Sequence, residues 1–241
     1  MTVYRLGHEP IFPDPREAEA DGLLAVGGDL RPERLLAGYA RGIFPWYERA
    51  PILWFSPDPR MLLVPGELHV PRRLLRRLRT GAFELRLDTV FPEVIRACAT
   101  LKRRGARGTW ITPDMIEAYC ALHELGFAHS CEAWLEGELA GGVYGVSLGA
   151  AFFAESMFHR RGDASKAALA ALVWQLEAWG FALLDAQLHS PHLARLGLRE
   201  VPREAYLTAL ARALEAPTRR GRWTLDPAVV AAKLGGGGWA V

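Results

Sequence analysis

Four prolines, Pro45, Pro51, Pro57 and Pro59, fall within the stretch GIFPWYERAPILWFSPDPR from Gly42 to Arg60. Each fixes φ and removes a backbone donor, so no helix can run through the stretch. Its aromatic side chains have no periodic partner nearby. Their surface must therefore be met by distant parts of the chain or by something bound. The same Pro-, Gly- and aromatic-rich grammar holds over residues 1–66. One helix stands out there, from Pro32 to Arg41, opened by a proline and closed by Gly42. The expectation is a small irregular N-terminal domain, 1–66.

The grammar changes after PGEL at 65–68. A helix from Pro71 is followed by an alternating strand from Phe83 to Leu87 and a helix from Pro92 to Leu101. Thr112-Pro113 opens another helix, which Gly126 closes. Strands HSCEAWL, ELAGGVYGVSLG and AAFFAESMF follow, the first two joined by a Glu136-Gly137 turn. A long helix from Ser165 to Trp179, a buried strand FALLDAQ, a short helix from Ser190-Pro191 and a last helix from Pro202 to Leu214 complete the pattern. This is an α+β chain with a larger domain at 67–241. Its tail, 215–241, ends in GGGGWAV and reads as loosely ordered. The total of 241 residues suits one large domain or two small ones. The N-terminus MTVYRLGHEP lacks a signal pattern, and no apolar run reaches the roughly 18 residues of a membrane span. A soluble, cytoplasmic protein is expected. Cys98, Cys120 and Cys131 are odd in number, with no CxxC pair, which argues against disulfides and structural zinc.

Positive charge is concentrated rather than large. The net charge is +2, and of 29 cationic residues only Lys102, Lys166 and Lys233 are lysine. In PRRLLRRLR, from Pro71 to Arg79, Leu74, Leu75 and Leu78 form an apolar stripe on a helix. Arg72, Arg76 and Arg79 recur at i, i+4, i+7, with Arg73 and Arg77 beside them. No acid is interleaved. Such a face is either simply solvated or meets a phosphate backbone, and the clustering favours the second. Lys102, Arg103, Arg104 and Arg107 form a second basic knot.

Three stretches carry candidate chemistry. In AFFAESMFHRRGDASK, Glu155 sits in an apolar strand, where a bare carboxylate costs several kcal/mol. It must be salt-bridged to an arginine, hydrogen-bonded or functional. HRRGDAS then enters a helix N-terminus, where backbone N–H groups bind anions. It is close to a pyrophosphate loop of acyl-CoA transferases, with Gly162 and Ala164 in place but His159 where Gln or Arg belongs. In LLDAQLHSPHLARLG, Asp185 and Gln187 are at i, i+2 of a strand and share a face at its end. His189 and His192 lack a third ligand, so no metal is expected. In RGTWITPDM, Trp110 precedes a helix cap and is either a core residue or a site wall.

Taken together, GLLAVGGDLRPERLLAGYARGIFPWY, ILWFSPDPR, GTWIT, GGVYGV, ESMF and LLDAQ resemble, in order and spacing, the bacterial leucyl/phenylalanyl-tRNA–protein transferase family. The likeness covers roughly Phe12 to Tyr206. It implies transfer of leucine or phenylalanine, and methionine less well, from tRNA to a protein beginning with Arg or Lys, which marks that protein for degradation. It also implies a larger domain resembling the acyl-CoA N-acyltransferase (GNAT-like) fold around a central mixed sheet, with no cofactor. The chain would then be a monomer. By motif, Phe44, Trp46, Trp110, Val143, Phe152, Leu172, Leu184 and Ser190 would form the aminoacyl pocket and adenosine platform. Asp185, Gln187 and Glu155 would be catalytic, and Arg72, Arg73, Arg76, Arg77 and Arg79 would bind tRNA. The family pattern has a longer Met at the place of Val143 and a Phe at that of Leu172, so the pocket here would be wider. Ser190-Pro191 also departs from the polar pair usual there. Two other classes stay open: a CoA-dependent N-acetyltransferase, which needs the 162–164 loop, and a non-catalytic tRNA-binding module, which needs only the arginines.

Overall fold

The computed structural model describes residues 3–100 and 110–235. The second basic knot, at 102–107, lies outside them. The N-terminal part contains β1 (Tyr4–Leu6), β2 (Leu23–Gly27), α1 (Pro32–Tyr39), β3 (Phe44–Pro45) and β4 (Leu53–Phe55). Its strands form a four-stranded sheet in the order β1-β2-β4-β3, with β1 parallel to β2 and the other pairs antiparallel. The proline-rich stretch is thus a short ribbon, Phe44 opposite Phe55 and Pro45 opposite Trp54. Its peptide bonds before Pro51 and Pro59 are cis. The aromatic surface does find distant partners. Trp54 is fully buried, donates from Nε1 to the Gly27 carbonyl at 2.9 Å and meets Phe12 edge-on.

The chain then builds β5 (Arg60–Leu63), α2 (Arg72–Arg79), β6 (Glu84–Leu87), α3 (Phe91–Thr100), α4 (Pro113–Glu124), β7 (Ala128–Leu135), β8 (Glu138–Leu148) and β9 (Ala151–His159). After these come α5 (Ala164–Ala178), β10 (Leu183–Asp185), α6 (Pro191–Ala194), β11 (Arg199–Val201), α7 (Arg203–Ala213) and α8 (Pro227–Leu234). A seven-stranded sheet runs β11-β5-β10-β9-β8-β7-β6. All its pairs are antiparallel except β9 with β10, which α5 connects. This is the expected α+β architecture around a mixed sheet. β5 begins at Arg60, the last residue of the proline-rich stretch, and pairs inside the larger sheet, so the crossing between sheets falls at about residue 59.

Two apolar clusters fill the two faces of this sheet. One joins α3 and α4 to the small sheet; the other gathers around α5. Apart from the half-buried Lys166, α5 is buried from Ala164 through Leu176, so it packs on nearly all sides rather than along one stripe. Its start lies directly on β8: a Cβ on Gly141 would come within 2.7 Å of the Ala164 Cβ.

Two expectations about the last third of the chain need correction. FALLDAQ is not a strand throughout. β10 ends at Asp185, and Gln187 has a left-handed φ of 59°. The tail from 215 is not loose where it is described. Trp223 is buried and stacks on His129 with ring centroids 3.5 Å apart. α8 packs on α5 and α2, and Lys233 pairs with Glu177 at 2.7 Å. Asp88 organises this anchor, accepting from the Ser130 N–H at 2.8 Å and the Trp223 N–H at 2.7 Å. Composition suggested disorder because the anchoring contacts are all long-range.

Candidate active site

Glu155 occupies a bulge in β9. Gly145 pairs with Ala154 and Tyr144 with Ser156, which leaves Glu155 as the extra residue. The bulge also resets the alternation: Phe153 and Phe158, five positions apart, pack into the same cluster. Three separate elements converge on the carboxylate. Tyr39, at the end of α1, donates to Oε1 at 2.7 Å. Tyr119 of α4 donates to Oε2 at 3.1 Å, and its hydroxyl also meets that of Tyr39. The Gln187 Nε2 donates to Oε1 at 2.8 Å. Among the described residues it is held by hydrogen bonds and not by an arginine salt bridge. Burial pushes its pKa from 4.5 up to about 7, against the lowering effect of these donors and with a further push from the charge of Asp185. Burial likewise raises both tyrosine hydroxyls well above their ordinary value.

Asp185 stands behind Gln187. Its Oδ1 accepts the Gln187 N–H at 2.8 Å and the Arg60 Nε at 2.9 Å; its Oδ2 accepts the Arg60 Nη2 and the Tyr206 hydroxyl, each at 2.8 Å. Arg60 and Asp185 are both fully buried. The guanidinium lies between the rings of Phe44 and Tyr206, 4.9 and 4.5 Å from their centroids, and donates to the Gly42 carbonyl at 2.9 Å. Burial alone would lower the Arg60 pKa, but the attraction of Asp185 outweighs it and the net shift is upward. Gly42 is required here: its φ is 72°, and a Cβ would come within 2.6 Å of the Tyr206 ring.

The pocket residues do not form one cluster. Val143, Phe152, Leu172 and Leu184 lie together on the α5 face of the sheet, each at most 2% exposed. Phe44 belongs to the opposite face, and Trp110 packs against it. Trp46 is 38% exposed and meets Phe55 edge-on. The Tyr47 hydroxyl lies 3.4 Å from the Thr112 Oγ1, which ties the loop of Trp46 to that of Trp110. Ser190 caps α6 without a side-chain hydrogen bond, and its N–H meets the Met61 sulfur at 3.2 Å.

The arginine helix forms as expected, with Leu74 and Leu78 buried. Arg72, Arg73 and Arg76 are exposed. The other two are partly occupied. Arg77 donates to the Gly162 carbonyl at 2.6 Å and lies over Phe83; the Arg79 Nε donates to the Leu234 carbonyl at 2.9 Å. Where a pyrophosphate would dock, the loop before α5 carries Arg160 and Arg161 but ends in one acid, Asp163. Asp163, at φ 67°, contacts Lys166 at 3.1 Å. Burial pulls its pKa upward, but Lys166, Arg73 and Arg77 outweigh it and hold the group below its ordinary value. A fixed carboxylate at the helix start weakens the CoA reading.

Sequence reasoning missed Tyr39, Tyr119, Arg60 and Tyr206. Arg60 closes the motif ILWFSPDPR, and Tyr39 lies in GYARG, but neither shows its partner locally. A surface cleft of about 340 Å³ lined by Asp88, Thr89, Phe91, His123 and Arg222 contains none of the candidate residues. The candidate site is instead a set of converging polar groups around Glu155 and Asp185.

Comparison with known proteins shows the family. The family profile described as leucyl/phenylalanyl-tRNA protein transferase matches residues 62–211, and the profile of its N-terminal domain matches 28–58. A protein named leucyl/phenylalanyl-tRNA–protein transferase from Anaeromyxobacter dehalogenans (strain 2CP-C) is 59% identical over 229 residues, covering 95% of this chain and 98% of its own. Its namesake from Myxococcus xanthus (strain DK1622) is 57% identical, covering 93% of this chain and 97% of its own. Among solved structures, a GCN5-related N-acetyltransferase from Kribbella flavida aligns over 74% of this chain and 63% of that chain, with a TM-score of 0.36 and 13% identity. The α+β assignment stands on the strand pairing itself. With the profile spanning both Glu155 and Asp185, and relatives matching nearly end to end, the chain belongs to the leucyl/phenylalanyl-tRNA–protein transferase family.

Proposed function

We propose that this aminoacyltransferase moves leucine or phenylalanine, and methionine less well, from aminoacyl-tRNA to the N-terminus of proteins that begin with Arg or Lys. The product carries a new peptide bond and a degradation signal. The enzyme works in the cytoplasm as a monomer. The observation that carries the chemistry is the buried Glu155, shifted to about 7 and gripped from three elements.

An aminoacyl ester is already activated, so the enzyme need only place an amine, take its proton and disfavour water. The acceptor α-ammonium has an ordinary pKa of about 8. A carboxylate near 7 is matched to receive its proton, whereas one at its ordinary value is a poor base. The amine nitrogen attacks the ester carbonyl, a C–N bond forms, the ester C–O bond breaks, and the departing 3′ oxygen takes a proton. Gln187 donates to Glu155 through its amide nitrogen and offers its amide oxygen to the incoming amine. Asp185 holds Gln187 and does not meet substrate. Val143, Phe152, Leu172 and Leu184 receive the aminoacyl side chain. Phe44, Trp46 and Trp110 meet the terminal adenosine, where stacking on an aromatic ring is worth about 1–3 kcal/mol per base. Ser190 lies at the rim, and Arg72, Arg73, Arg76, Arg77 and Arg79 face the tRNA backbone.

The test is transfer of labelled leucine from leucyl-tRNA, without CoA, to a peptide beginning with Arg, beside one beginning with Glu. Label on the Arg peptide alone is expected. Intact tRNA binding with no transfer to either peptide would overturn the reading.

A further inference from the structure

We infer that Arg60 is a positioning residue for the transfer step, acting through Asp185 on the conformation of Gln187. The inference rests on the reading that Gln187 meets the reacting amine.

One atom links the three residues. The Asp185 Oδ1 accepts from the Arg60 Nε and from the Gln187 N–H at once, at 2.9 and 2.8 Å. A shift of the carboxylate therefore shifts the Gln187 backbone. That backbone is in the left-handed region at φ 59°, which a residue with a side chain adopts only when its surroundings hold it there. The conformation carries the amide back to Glu155, 2.8 Å from its Oε1.

Arg60 suits the holding role by shape as well as charge. Its planar fork binds both carboxylate oxygens, and the remaining Nη1 reaches the Gly42 carbonyl. The rings of Phe44 and Tyr206 fix its plane. Lysine would supply a point charge and none of this planarity. The guanidinium thus registers the ribbon that carries Phe44 against the strand that precedes Gln187. A pair kept for stability alone would need the charge but not the fork.

The experiment is a double-mutant cycle of Arg60→Lys and Gln187→Ala, read as kcat for transfer to an Arg-starting peptide, with aminoacyl-tRNA Kd and a thermal melt for each variant. Arg60→Lys is expected to lower kcat about tenfold, the order of loss a small misplacement produces, with Kd unchanged. In the Gln187→Ala background the same substitution should cost nothing further. Equal losses in both backgrounds, or an unchanged kcat in Arg60→Lys while Gln187→Ala is slow, overturns the inference and leaves the reading of Gln187 intact. A Gln187→Ala enzyme as fast as the parent overturns that reading and the inference with it. If Arg60→Lys does not fold, the neutral pair Arg60→Met with Asp185→Asn takes its place in the cycle; it removes both buried charges together and keeps an acceptor for the Gln187 N–H.

Discussion

Replacing Glu155 with Gln should make the folded chain more stable above neutrality while removing the proposed base. Glu155 is 9% exposed and its pKa is shifted from 4.5 to about 7, chiefly by burial. Between those two values the folded chain holds a proton that the unfolded chain has released. Stability from this group therefore falls as pH rises through that window and stays lost above it. Each pH unit of separation corresponds to about 1.4 kcal/mol, so the charged carboxylate costs the fold about 3 kcal/mol at pH 8 and nothing below pH 4.5. Glutamine has no such cost. Its oxygen still accepts from Tyr39 and Gln187, and its amide nitrogen donates to Tyr119, whose hydroxyl is free to turn toward Tyr39. Denaturant midpoints of parent and variant at pH 4.5 and pH 8 measure the effect as a difference, which cancels Glu132, another buried carboxyl raised by burial to about 7. The parent's kcat/KM should rise with pH through about 7, and the variant should lose both that limb and most of its rate. A stability difference that does not change with pH would refute the reasoning, because Glu155 would then titrate like a solvated carboxylate.

The pocket, the basic helix and the tail give four further outcomes. Val143→Met adds length to a fully packed wall, so phenylalanine transfer should fall relative to leucine by roughly tenfold in a competition between the two aminoacyl-tRNAs. Arg76→Ala should lower the slope of log affinity for tRNA against log salt by about one, measured by filter binding at several salt concentrations. Arg79→Ala should change that slope less, because its guanidinium already serves the Leu234 carbonyl. Trp223→Ala removes a buried ring from its stack on His129 and should cost about 3–5 kcal/mol in chemical denaturation.

Local signals were legible and distant partners were not. Pro32 and Gly42 bracketed α1, leucine spacing gave α2, and the Glu136-Gly137 turn joined β7 to β8. Glu155 and Asp185 stood out because each is an acid in an apolar run. Their partners stayed hidden: Tyr39 is 116 positions from Glu155 and Arg60 is 125 from Asp185. Alternation alone places Gln187 on the strand face of Asp185; its left-handed φ depends on a carboxylate fixed by another segment. The bulge at Glu155 was equally invisible, since it is defined by pairing with β8. The tail looked loose because Gly, Ala and Arg carry little pattern, while Trp223 is held by contacts from the middle of the chain.

The sheet also implies an order of assembly. β7, β8 and β9 are joined by tight turns, so their pairing closes small loops and forms early. β5 must wait for β10 and β11, and the Arg60–Asp185 contact closes a loop of more than a hundred residues. In pulse-labelled hydrogen exchange during refolding, amides of β8 should gain protection first and the Gln187 N–H among the last. The proposed site is then the part that is finished last, and a chain that has the central meander but not β5 in place is expected to be compact and inactive.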